Sequence, residues 1–412
     1  MPSTFGTALR VTVFGQSHSA GVGCVMEGLP SGFKVDLDAL DAFMARRAPG
    51  NAPWTTPRKE ADSPRILSGL NPDGRTCGAP LAAVIENTNT RSQDYGNIMG
   101  VPRPGHADFT AWAKWHGNQD IPGGGHFSGR LTGPLCVAGG ICLQWLSAQG
   151  IRVSAHVAEC AGVADEPFCV ADNSPEANSL LARQMDALAD GRDFPAISGD
   201  AAARMTEAIM SAKADKDSVG GVIECVATGL PAGVGSPMFD GLENVIARAV
   251  FGIPSVKGIE FGLGFESARV RGSQDNDPYE VREGACVPRT NNAGGILGGI
   301  STGAPLHFRC ALKPISSIGI EQDSVDLERM EPARLAVRGR HDATAVTRAV
   351  PVVEALTEPA PPGGAGSGAR RGSRVRARRD GLPARMARGA PEVGRPRRAI
   401  PRHRTPKANV RN

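Results

Sequence analysis

Two histidines of this chain lie in glycine-bounded turns, where a side chain can reach a ligand. His106 lies in Arg103-Pro-Gly-His-Ala-Asp108, beside an arginine and a carboxylate, and His18 lies in Gly15-Gln-Ser-His-Ser-Ala-Gly21. A carboxylate, Asp342, follows far downstream. Histidine titrates near neutral pH, so this set is suited to moving protons to and from a substrate. A single loop histidine is more often structural than functional, and the prediction therefore depends on the residues around it.

Arginines and glycine-rich loops indicate an anionic ligand. Gly123-Gly-Gly-His-Phe-Ser-Gly-Arg130 runs into a predicted helix, whose N-terminal amides suit phosphate. A second glycine-rich segment spans residues 289–303, and Lys313-Pro-Ile-Ser-Ser317 adds a cation and two hydroxyls that suit a phosphate or a flavin ring edge. Arg46-Arg-Ala-Pro-Gly50 ends another predicted helix. Each segment also has a simpler explanation, since glycines allow close packing, turns are often solvated, and basic residues complement a helix dipole.

The composition is that of a globular protein. Hydrophobic residues make up 41% of the 412 residues, and the 52 glycines exceed the roughly 29 expected at average usage. The nine cysteines show no CxxC pair and no Cys/His metal spacing, so we expect reduced, mostly buried thiols of a cytoplasmic protein. The sequence has no run of 18 apolar residues and no signal-peptide pattern, so no membrane association is expected.

Charge divides the chain into two regions. Residues 359–412 hold 15 basic and two acidic residues, a net charge of +13, whereas the remainder holds 31 basic and 40 acidic residues, a net charge of −9. We predict a catalytic domain over residues 1–356 and a disordered, Pro/Gly/Arg-rich tail over residues 357–412. The tail could be a nucleic-acid-binding arm. It lacks interleaved aromatic residues, so we favour a segment without function, such as a reading-frame shift in a GC-rich gene produces.

Hydrophobic periodicity predicts alternating strands and helices. The turns Gly28-Leu-Pro-Ser-Gly32 and Gly229-Leu-Pro-Ala-Gly233 are near-copies, and each follows an apolar strand and precedes a helical pattern. We therefore expect mixed α/β layers (an α+β fold) rather than a doubly wound sheet, with an internal pseudo-duplication as one interpretation and chance reuse of a turn as the other. Strands are predicted at 9–14, 22–28, 81–86, 151–160 and 219–228, and helices at 36–47, 136–149, 176–189, 200–213 and 242–251.

The motifs together resemble those of the chorismate synthase family, across residues 1 to about 356. Their fixed order makes the resemblance specific. The motifs are Gly15-Gln-Ser-His18, Arg46-Arg-Ala-Pro-Gly50, Arg91-Ser-Gln-Asp-Tyr95, Arg103-Pro-Gly-His-Ala-Asp108, the Gly123 loop, Val256-Lys-Gly-Ile-Glu260, Arg271-Gly-Ser-Gln274, Asn292-Ala-Gly-Gly-Ile-Leu-Gly-Gly-Ile-Ser301, Lys313-Pro-Ile-Ser-Ser317, Gly339-Arg-His-Asp342 and Ala349-Val-Pro-Val-Val-Glu354.

The resemblance implies the last step of the shikimate pathway. In that reaction 5-enolpyruvylshikimate 3-phosphate loses phosphate and a ring hydrogen in a 1,4 anti elimination, which gives chorismate. Reduced FMN is required but not consumed, and its reduction by NADPH is carried out by this or another protein. The family's fold is a β-α-β sandwich assembled as a homotetramer.

The resemblance also implies residue roles. His106 would protonate the departing phosphate, His18 would protonate the reduced flavin near N1, and Asp342 would help flavin N5 accept the ring hydrogen. Anions would bind to Arg47, Arg130 and Arg340, the last of which we also assign to the cofactor. The other positions matching the FMN site are His126, Phe127, Ser128, Pro254, Ser255, Gly298, Lys313, Pro314, Ile315, Ser316 and Ser317.

The chain departs from the family pattern at several places. Pro53 stands where many relatives have a basic residue, and Gln16 and Ser19 replace the commoner acidic residue and glycine around His18. Ala343 and Thr344 replace the Pro-Cys that usually follows Arg-His-Asp, and an apolar helix expected after Glu354 is interrupted at Glu358-Pro-Ala-Pro-Pro. The alternative function is therefore an inactive or destabilised relative that binds flavin, with a nucleic-acid-binding tail. From the interrupted helix we expect lower stability, or a weaker tetramer, than in the relatives.

Overall fold

The structure is a computed structural model, which describes residues 3–50, 52–55, 62–87, 98–189, 192–337 and 342–357. The predicted tail, the Arg91–Tyr95 motif and Arg340 lie outside the described residues. The helices are α1 (Leu37–Arg47), α2 (Asp108–Trp115), α3 (Thr132–Ala148), α4 (Pro175–Ala189), α5 (Gly199–Ala214), α6 (Leu242–Val250), α7 (Gly272–Asp275) and α8 (Val346–Leu356).

The strands fall into two five-stranded antiparallel sheets and three short hairpins. The first sheet has the order β1-β2-β3-β5-β4, and the second has the order β7-β6-β8-β14-β9. The strands are β1 (Thr4–Phe5), β2 (Arg10–Gly15), β3 (Gly21–Glu27), β4 (Arg65–Ser68), β5 (Leu81–Glu86), β6 (Arg152–Cys160), β7 (Val163–Ala164), β8 (Gly221–Thr228), β9 (Val256–Phe261), β10 (Tyr279–Arg282), β11 (Ala285–Pro288), β12 (Ile296–Leu297), β13 (Ile300–Ser301), β14 (Leu306–Leu312), β15 (Gln322–Asp326) and β16 (Glu331–Leu335).

Helices α3 and α8 form the centre of the fold. Helix α3 contacts β3 and β5 of the first sheet and β6 of the second, while α8 packs on β6 and β8. Because both helices are surrounded by other elements, nearly all of their residues are buried. The segment Pro122–Ala148, which contains α3, is by length and composition alone sufficient to cross a membrane, but 67% of its most apolar 18-residue window is buried inside the fold. It is therefore the type of apolar core helix found within globular folds.

The expected mixed α/β layers are confirmed, and so are the predicted strands and helices to within a few residues. The sequence predicts Asp36 or Asp38 as the cap of α1, and Asp36 caps it by accepting a hydrogen bond from the amide of Ala39. The spacing of Leu37, Leu40, Phe43 and Met44 predicts one apolar face, and this is wrong at Leu37. Leu37 is 45% exposed, whereas Leu40 and Met44 are buried. Six of the nine cysteines are buried, as expected.

Two consecutive glycines let α3 approach its neighbours closely. A Cβ on Gly139 would overlap the Cβ of Ala355 in α8 and lie 2.5 Å from its Cα, and a Cβ on Gly140 would lie 2.8 Å from Leu40 in α1. Helices α1 and α8 are also linked by an ion pair, because Arg46 of α1 donates two hydrogen bonds to the carboxylate of Glu354 in α8, at 2.7 and 2.9 Å. Glu354 is 4% exposed. Glu354 also accepts a hydrogen bond from the amide of Ala155 in β6, so both of its carboxylate oxygens have partners.

A buried charged network crosses the second sheet. His156 of β6 bonds to Asp165 at 2.9 Å and to Glu224 of β8 at 2.7 Å, and His307 of β14 bonds to the other oxygen of Glu224 at 2.7 Å. Burial alone would raise the pKa of Glu224, but its two histidine partners lower it from 4.5 to about 2. The pKa of Asp165 is also lowered, and that of His156 is raised because its two carboxylate partners outweigh its burial.

The close approach of α3 and α8 predicts that Gly139→Ala is destabilising. Alanine favours a helix over glycine by up to about 1 kcal/mol, yet the added methyl overlaps backbone and Cβ atoms of Ala355, so we expect a net loss of about 1–3 kcal/mol in the free energy of unfolding. Urea unfolding measures it. Gly199→Ala is the matched control, because a Cβ there meets nothing within 4 Å. Equal stability of the two variants would contradict the proposed packing.

The charged network predicts a pH dependence of stability. The lowered pKa values of Glu224 and Asp165 make their contribution complete above about pH 4.5 and lost as the pH falls towards 2. The raised pKa of His156 makes its contribution complete below about pH 6.5 and lost as the pH rises through the folded-state pKa. Glu224→Gln should therefore lower the free energy of unfolding most between about pH 4.5 and 6.5, by on the order of 3–5 kcal/mol.

Thermal unfolding of Glu224→Gln at several pH values tests this expectation. Glu86→Gln is the control, because the Glu86–Arg65 pair of the first sheet is exposed (62% and 67%) and should contribute below about 1 kcal/mol at every pH. A penalty for Glu224→Gln that is small, or the same at pH 3 and pH 5.5, would show that the network does not stabilise the fold.

Candidate active site

A cavity of about 730 Å³ brings together residues from both halves of the chain. This is within the usual size range of small-molecule sites, roughly 300–1,000 Å³. Asp342 is the one carboxylate among the described lining residues, so the lining is strongly positive. Anionic ligands are therefore expected. The lining cations are Arg47, Arg103, Arg130, Lys257, Lys313 and Arg348.

His106 is held in the cavity wall by its own loop. Its Nδ1 lies 2.5 Å from Asp108, and Arg103 donates from Nε and Nη2 to the two oxygens of Asp108 at 2.7 and 2.8 Å. Burial alone would raise the pKa of Asp108, but the bonds from Arg103 and His106 outweigh it and hold that pKa well below its usual range. The loop thus keeps an ionised carboxylate against the imidazole, as the sequence motif suggested.

The turn at residues 313–317 supports the His106 loop. Lys313 Nζ and Ser316 Oγ both donate to the carbonyl of Gly105, the latter at 2.8 Å, and Arg103 donates to Ser317 Oγ at 3.0 Å. Burial and the charge of Lys257 lower the pKa of Lys313. Two motifs that are more than 200 residues apart in sequence therefore form one structural unit.

The glycine-rich loop passes between the two histidines. Gly123, Gly124 and Gly125 all have positive φ (61°, 84° and 52°), which other residues rarely adopt. A Cβ on Gly123 would lie 2.5 Å from His18 Cε1, and a Cβ on Gly124 would lie 3.0 Å from His106 Nε2. The loop needs glycine because its backbone fills the space between the two rings.

The residues after these glycines bond mainly within the protein. His126 Nδ1 lies 2.9 Å from the carbonyl of Gly15, and His126 Nε2 lies 3.1 Å from Ser3 Oγ, so both ring nitrogens are engaged. A ligand would meet the ring face or the backbone of His126. Phe127 is 38% exposed at the cavity wall. Ser128 bonds to the buried Ser17, whose hydroxyl lies 3.2 Å from His18 Nδ1.

The two arginines predicted to contact substrate differ in their surroundings. Arg47 is buried, forms an ion pair with Asp62, and donates to Thr132 Oγ1 at 3.1 Å. Arg130 donates to Asn87 at 2.8 Å and to the carbonyl of Ser17. Both line the cavity. Arg47 is thus a fixed positive charge at the cavity wall.

Sequence reasoning missed Arg348 and Lys257. Arg348, in the first turn of α8, donates to Asp342 at 2.8 Å and to the carbonyl of Arg47 at 2.9 Å. No local spacing identifies it, because Asp342 precedes α8 and lies six residues from Arg348, outside the i,i+3 and i,i+4 spacings at which helical residues pair. Burial lowers the pKa of Arg348 while the charge of Asp342 opposes that shift. An arginine keeps its charge under these conditions.

Ser255, at the cavity wall, has a strained backbone. Its φ of 79° is rare for a residue other than glycine, and its carbonyl accepts a hydrogen bond from the amide of Lys313 at 2.9 Å. Strain of this kind costs roughly 1–3 kcal/mol and is concentrated at functional sites. This observation agrees with the assignment of Ser255 to a ligand site.

Most of the predicted site residues are brought together. His18, Gly298 and Pro314 are not among the cavity's lining residues: His18 lies behind Ser17 and Gly123, and Gly298 lies in the turn between β12 and β13. Their roles stay predictions. The residues that do line it are Arg47, His106, His126, Phe127, Ser128, Arg130, Pro254, Ser255, Lys313, Ile315, Ser316, Ser317 and Asp342.

The fold and site thus define a mixed α/β enzyme with a cationic cavity and a histidine poised for proton transfer. The chorismate synthase family model matches residues 9–360, and the chain belongs to that family. A chorismate synthase of Lancefieldella parvula is 56% identical over 356 residues, which cover 86% of this chain and 93% of that protein. One of Thermococcus kodakarensis is 44% identical over 349 residues, covering 85% and 93%.

A solved structure supports the same assignment. A crystal structure of a chorismate synthase superposes with a TM-score of 0.64 at 26% sequence identity, and the match covers 85% of this chain and 89% of the other. The family relationship therefore extends over both sheets and the central helices. The chain is an enzyme of the lyase class.

Proposed function

We propose that this enzyme converts 5-enolpyruvylshikimate 3-phosphate to chorismate by a 1,4 anti elimination of phosphate and a ring hydrogen. The observation that carries the proposal is the cavity, in which six cations and one carboxylate surround His106. The substrate has two carboxylates and a phosphate, so its charge complements this lining. Family membership supports the same reaction.

His106 is the proposed acid that protonates the departing phosphate. Its Nδ1 is engaged by Asp108, so Nε2 is the nitrogen available to a ligand. A phosphate dianion leaves poorly, and a proton delivered to it lowers the barrier. The cations of the cavity stabilise the charge that develops on the same group. Lys257 and Lys313 suit this task because no carboxylate in the described part of the chain pairs with either.

The cavity residues also fit reduced FMN. Phe127 offers an apolar surface for a ring, and Lys313 with Ser316 and Ser317 offers donors for a phosphate or a ring edge. Bound reduced flavin supplies an electron-rich ring that assists the elimination without net redox change. Arg340 and Pro314 complete the set that we assign to the cofactor by family likeness, and NADPH is the proposed source of its electrons.

His18 and Asp342 are the proposed proton-holding groups beside the flavin. His18 would hold a proton near flavin N1, a role supported by its place behind Ser17 and Gly123 at the cavity wall. Asp342 lines the cavity and is oriented by Arg348.

We further infer that the two sheets belong to a β-α-β sandwich built by internal duplication. Without the short edge strands β1 and β7, the order across the two sheets is β2-β3-β5-β4 and β6-β8-β14-β9. When the four strands of each sheet are numbered along the chain, both orders become 1-2-4-3. The near-copy turns follow equivalent strands. A Cβ on Gly28 would overlap the carbonyl of Ala8, and a Cβ on Gly229 would overlap the carbonyl of Gly150. Ala8 lies two residues before β2, and Gly150 lies two residues before the equivalent strand β6.

We also propose a cytoplasmic homotetramer, with residues 1–356 as its catalytic region and 357–412 as a separate basic tail. Several large apolar side chains near the second sheet are strongly exposed, which marks an association surface. These are Met238 (74%), Phe239 (84%), Phe265 (76%), Tyr279 (60%) and Val281 (81%).

Anaerobic turnover with chemically reduced FMN tests the reaction. Wild type should release phosphate from 5-enolpyruvylshikimate 3-phosphate and form chorismate. His106→Ala should lose roughly 10²–10⁴-fold in kcat while it still binds FMN and substrate, because only the proton donor is removed. His116→Asn is the matched control, since His116 is an exposed residue at the end of α2 that does not line the cavity.

Two results would contradict separate parts of the proposal. No phosphate release by the wild-type enzyme would favour the alternative of an inactive flavin-binding relative. Near-normal turnover by His106→Ala would remove His106 from the acid role but leave the reaction in place.

Sedimentation velocity tests the tetramer. Wild type should sediment as a species of about four times 42.9 kDa, and Phe239→Glu should give smaller species because a charge on an apolar interface is costly to bury. Ser179→Glu, on the exposed face of α4, is the control. A monomeric wild type, or a tetramer unaffected by Phe239→Glu, would place the assembly surface elsewhere or exclude it.

A further inference from the structure

Asp108 lies between His106 and Arg103, and all four of its hydrogen bonds run to these two residues. Its Oδ2 accepts from the backbone amide and Nε of Arg103 at 3.0 and 2.7 Å, and its Oδ1 lies 2.8 Å from Arg103 Nη2 and 2.5 Å from His106 Nδ1. Arg103 is 4% exposed. The carboxylate is therefore fixed from one side by a buried guanidinium.

The contacts assign the proton on His106. Arg103 Nη2 also lies 3.1 Å from His106 Nδ1, but a guanidinium can only donate, and it already donates to Asp108 at a shorter distance. A carboxylate kept ionised by Arg103 can only accept. The short contact between Asp108 and His106 therefore requires the proton on Nδ1, which leaves Nε2 as the nitrogen that changes its protonation.

A purely structural role for Asp108 explains less. Asp108 is the first residue of α2, where a carboxylate favours the helix dipole. Neither of its oxygens, however, accepts from an amide of α2, and the helix has no side-chain cap. The position of the Asp108 carboxylate is therefore explained by its contact with His106 and not by capping of α2.

We propose that Asp108, fixed by Arg103, is a positioning residue that holds the Nδ1 proton of His106 and directs Nε2 to the substrate phosphate. The proposal rests on the proposed function of His106 as the acid. In that step the proton moves from Nε2 to a phosphate oxygen, and the electron pair of the breaking C–O bond leaves with phosphate. The electron pair of the breaking ring C–H bond supplies the new double bond, and the ring hydrogen leaves without its electron pair. The imidazole ring is then neutral with its proton still on Nδ1, so Nε2 is ready to be protonated again.

Among the residues that the structure describes, the other charged groups near His106 are all cationic or distant. Lys313 bonds to the carbonyl of Gly105, and His18 lies on the far side of the backbone of Gly123 and Gly124. Asp108 is thus the carboxylate that touches the ring. The remaining charged groups of the cavity are Arg47, Arg130, Lys257, Arg348 and Asp342.

Asp108→Asn tests the proposal, because asparagine has the same shape and can still accept from Arg103. It can also present an N–H to Nδ1, which moves the neutral ring's proton to Nε2. We expect kcat to fall about 10²-fold or more, with the affinity for FMN and the KM for substrate within about threefold of wild type.

Nuclear magnetic resonance of ¹⁵N-histidine-labelled enzyme gives a readout that does not need turnover. Comparison with His106→Gln assigns the His106 signals among the eight histidines. Wild type should show the neutral ring protonated at Nδ1, and Asp108→Asn should show it protonated at Nε2. Asp200→Asn is the matched control: Asp200 is also a first-turn helix aspartate paired with an arginine, Arg204, but it is exposed.

The outcomes are distinguishable from failure of the proposed function. Asp108→Asn with an unchanged ring tautomer and kcat within twofold of wild type overturns the positioning role. If wild type releases no phosphate, the tautomer comparison still decides whether Asp108 positions the ring. If Asp108→Asn fails to bind FMN, Asp108→Ser, which removes the carboxylate without adding an N–H donor, repeats the measurement.

Discussion

The close packing of α3 against α8 and α1 is the constraint on which the rest of the molecule depends. At Gly139 the backbone of α3 meets Ala355, so a larger residue would overlap backbone atoms there, and at Gly140 a larger residue would require the side chains of Leu40 and Phe43 in α1 to shift. This packing brings Glu354 within bonding distance of Arg46 and of an amide of β6. The two sheets are thereby held on a common helical layer, and the ends of those helices are fixed where the cavity forms.

The cavity's positive charge follows from how its arginines are buried. A desolvated guanidinium is costly unless it is paired. Three of the lining arginines have a carboxylate partner: Arg47 with Asp62, Arg103 with Asp108 and Arg348 with Asp342. Asp62 and Asp108 do not line the cavity, whereas their partners Arg47 and Arg103 do. In these two pairs the positive side chain is therefore the one exposed to a ligand. Donors fixed in this way need no reorganisation when charge develops on a leaving group.

The sequence allowed the elements and the catalytic loops to be predicted, because these depend on local patterns. The alternation of apolar residues located the main strands and helices, and Asp36 was found as a cap from its position before α1. Leu37 was misassigned because periodicity does not say which part of a helix face meets a partner. The pairing of Arg47 with Asp62, and the support of Gly105 by Lys313, depend on tertiary contacts between separate segments. Sequence spacing carries no signal for such contacts.

The proposed duplication explains why the cavity lies where it does. Helices α1 and α6 occupy equivalent places in the two halves, and the residues at their C-terminal ends, Arg47 and Phe251, both line the cavity. Helices α3 and α8 are equivalent as well, and both present their first turns to it. If the two halves are related by a pseudo-twofold axis, these four helix ends meet at that axis. Two similar halves can then build one site there from different residues. Each half then contributes different chemistry: the first supplies His106 and the glycine loop, and the second supplies Lys313 and Asp342, so that neither half alone can form the site.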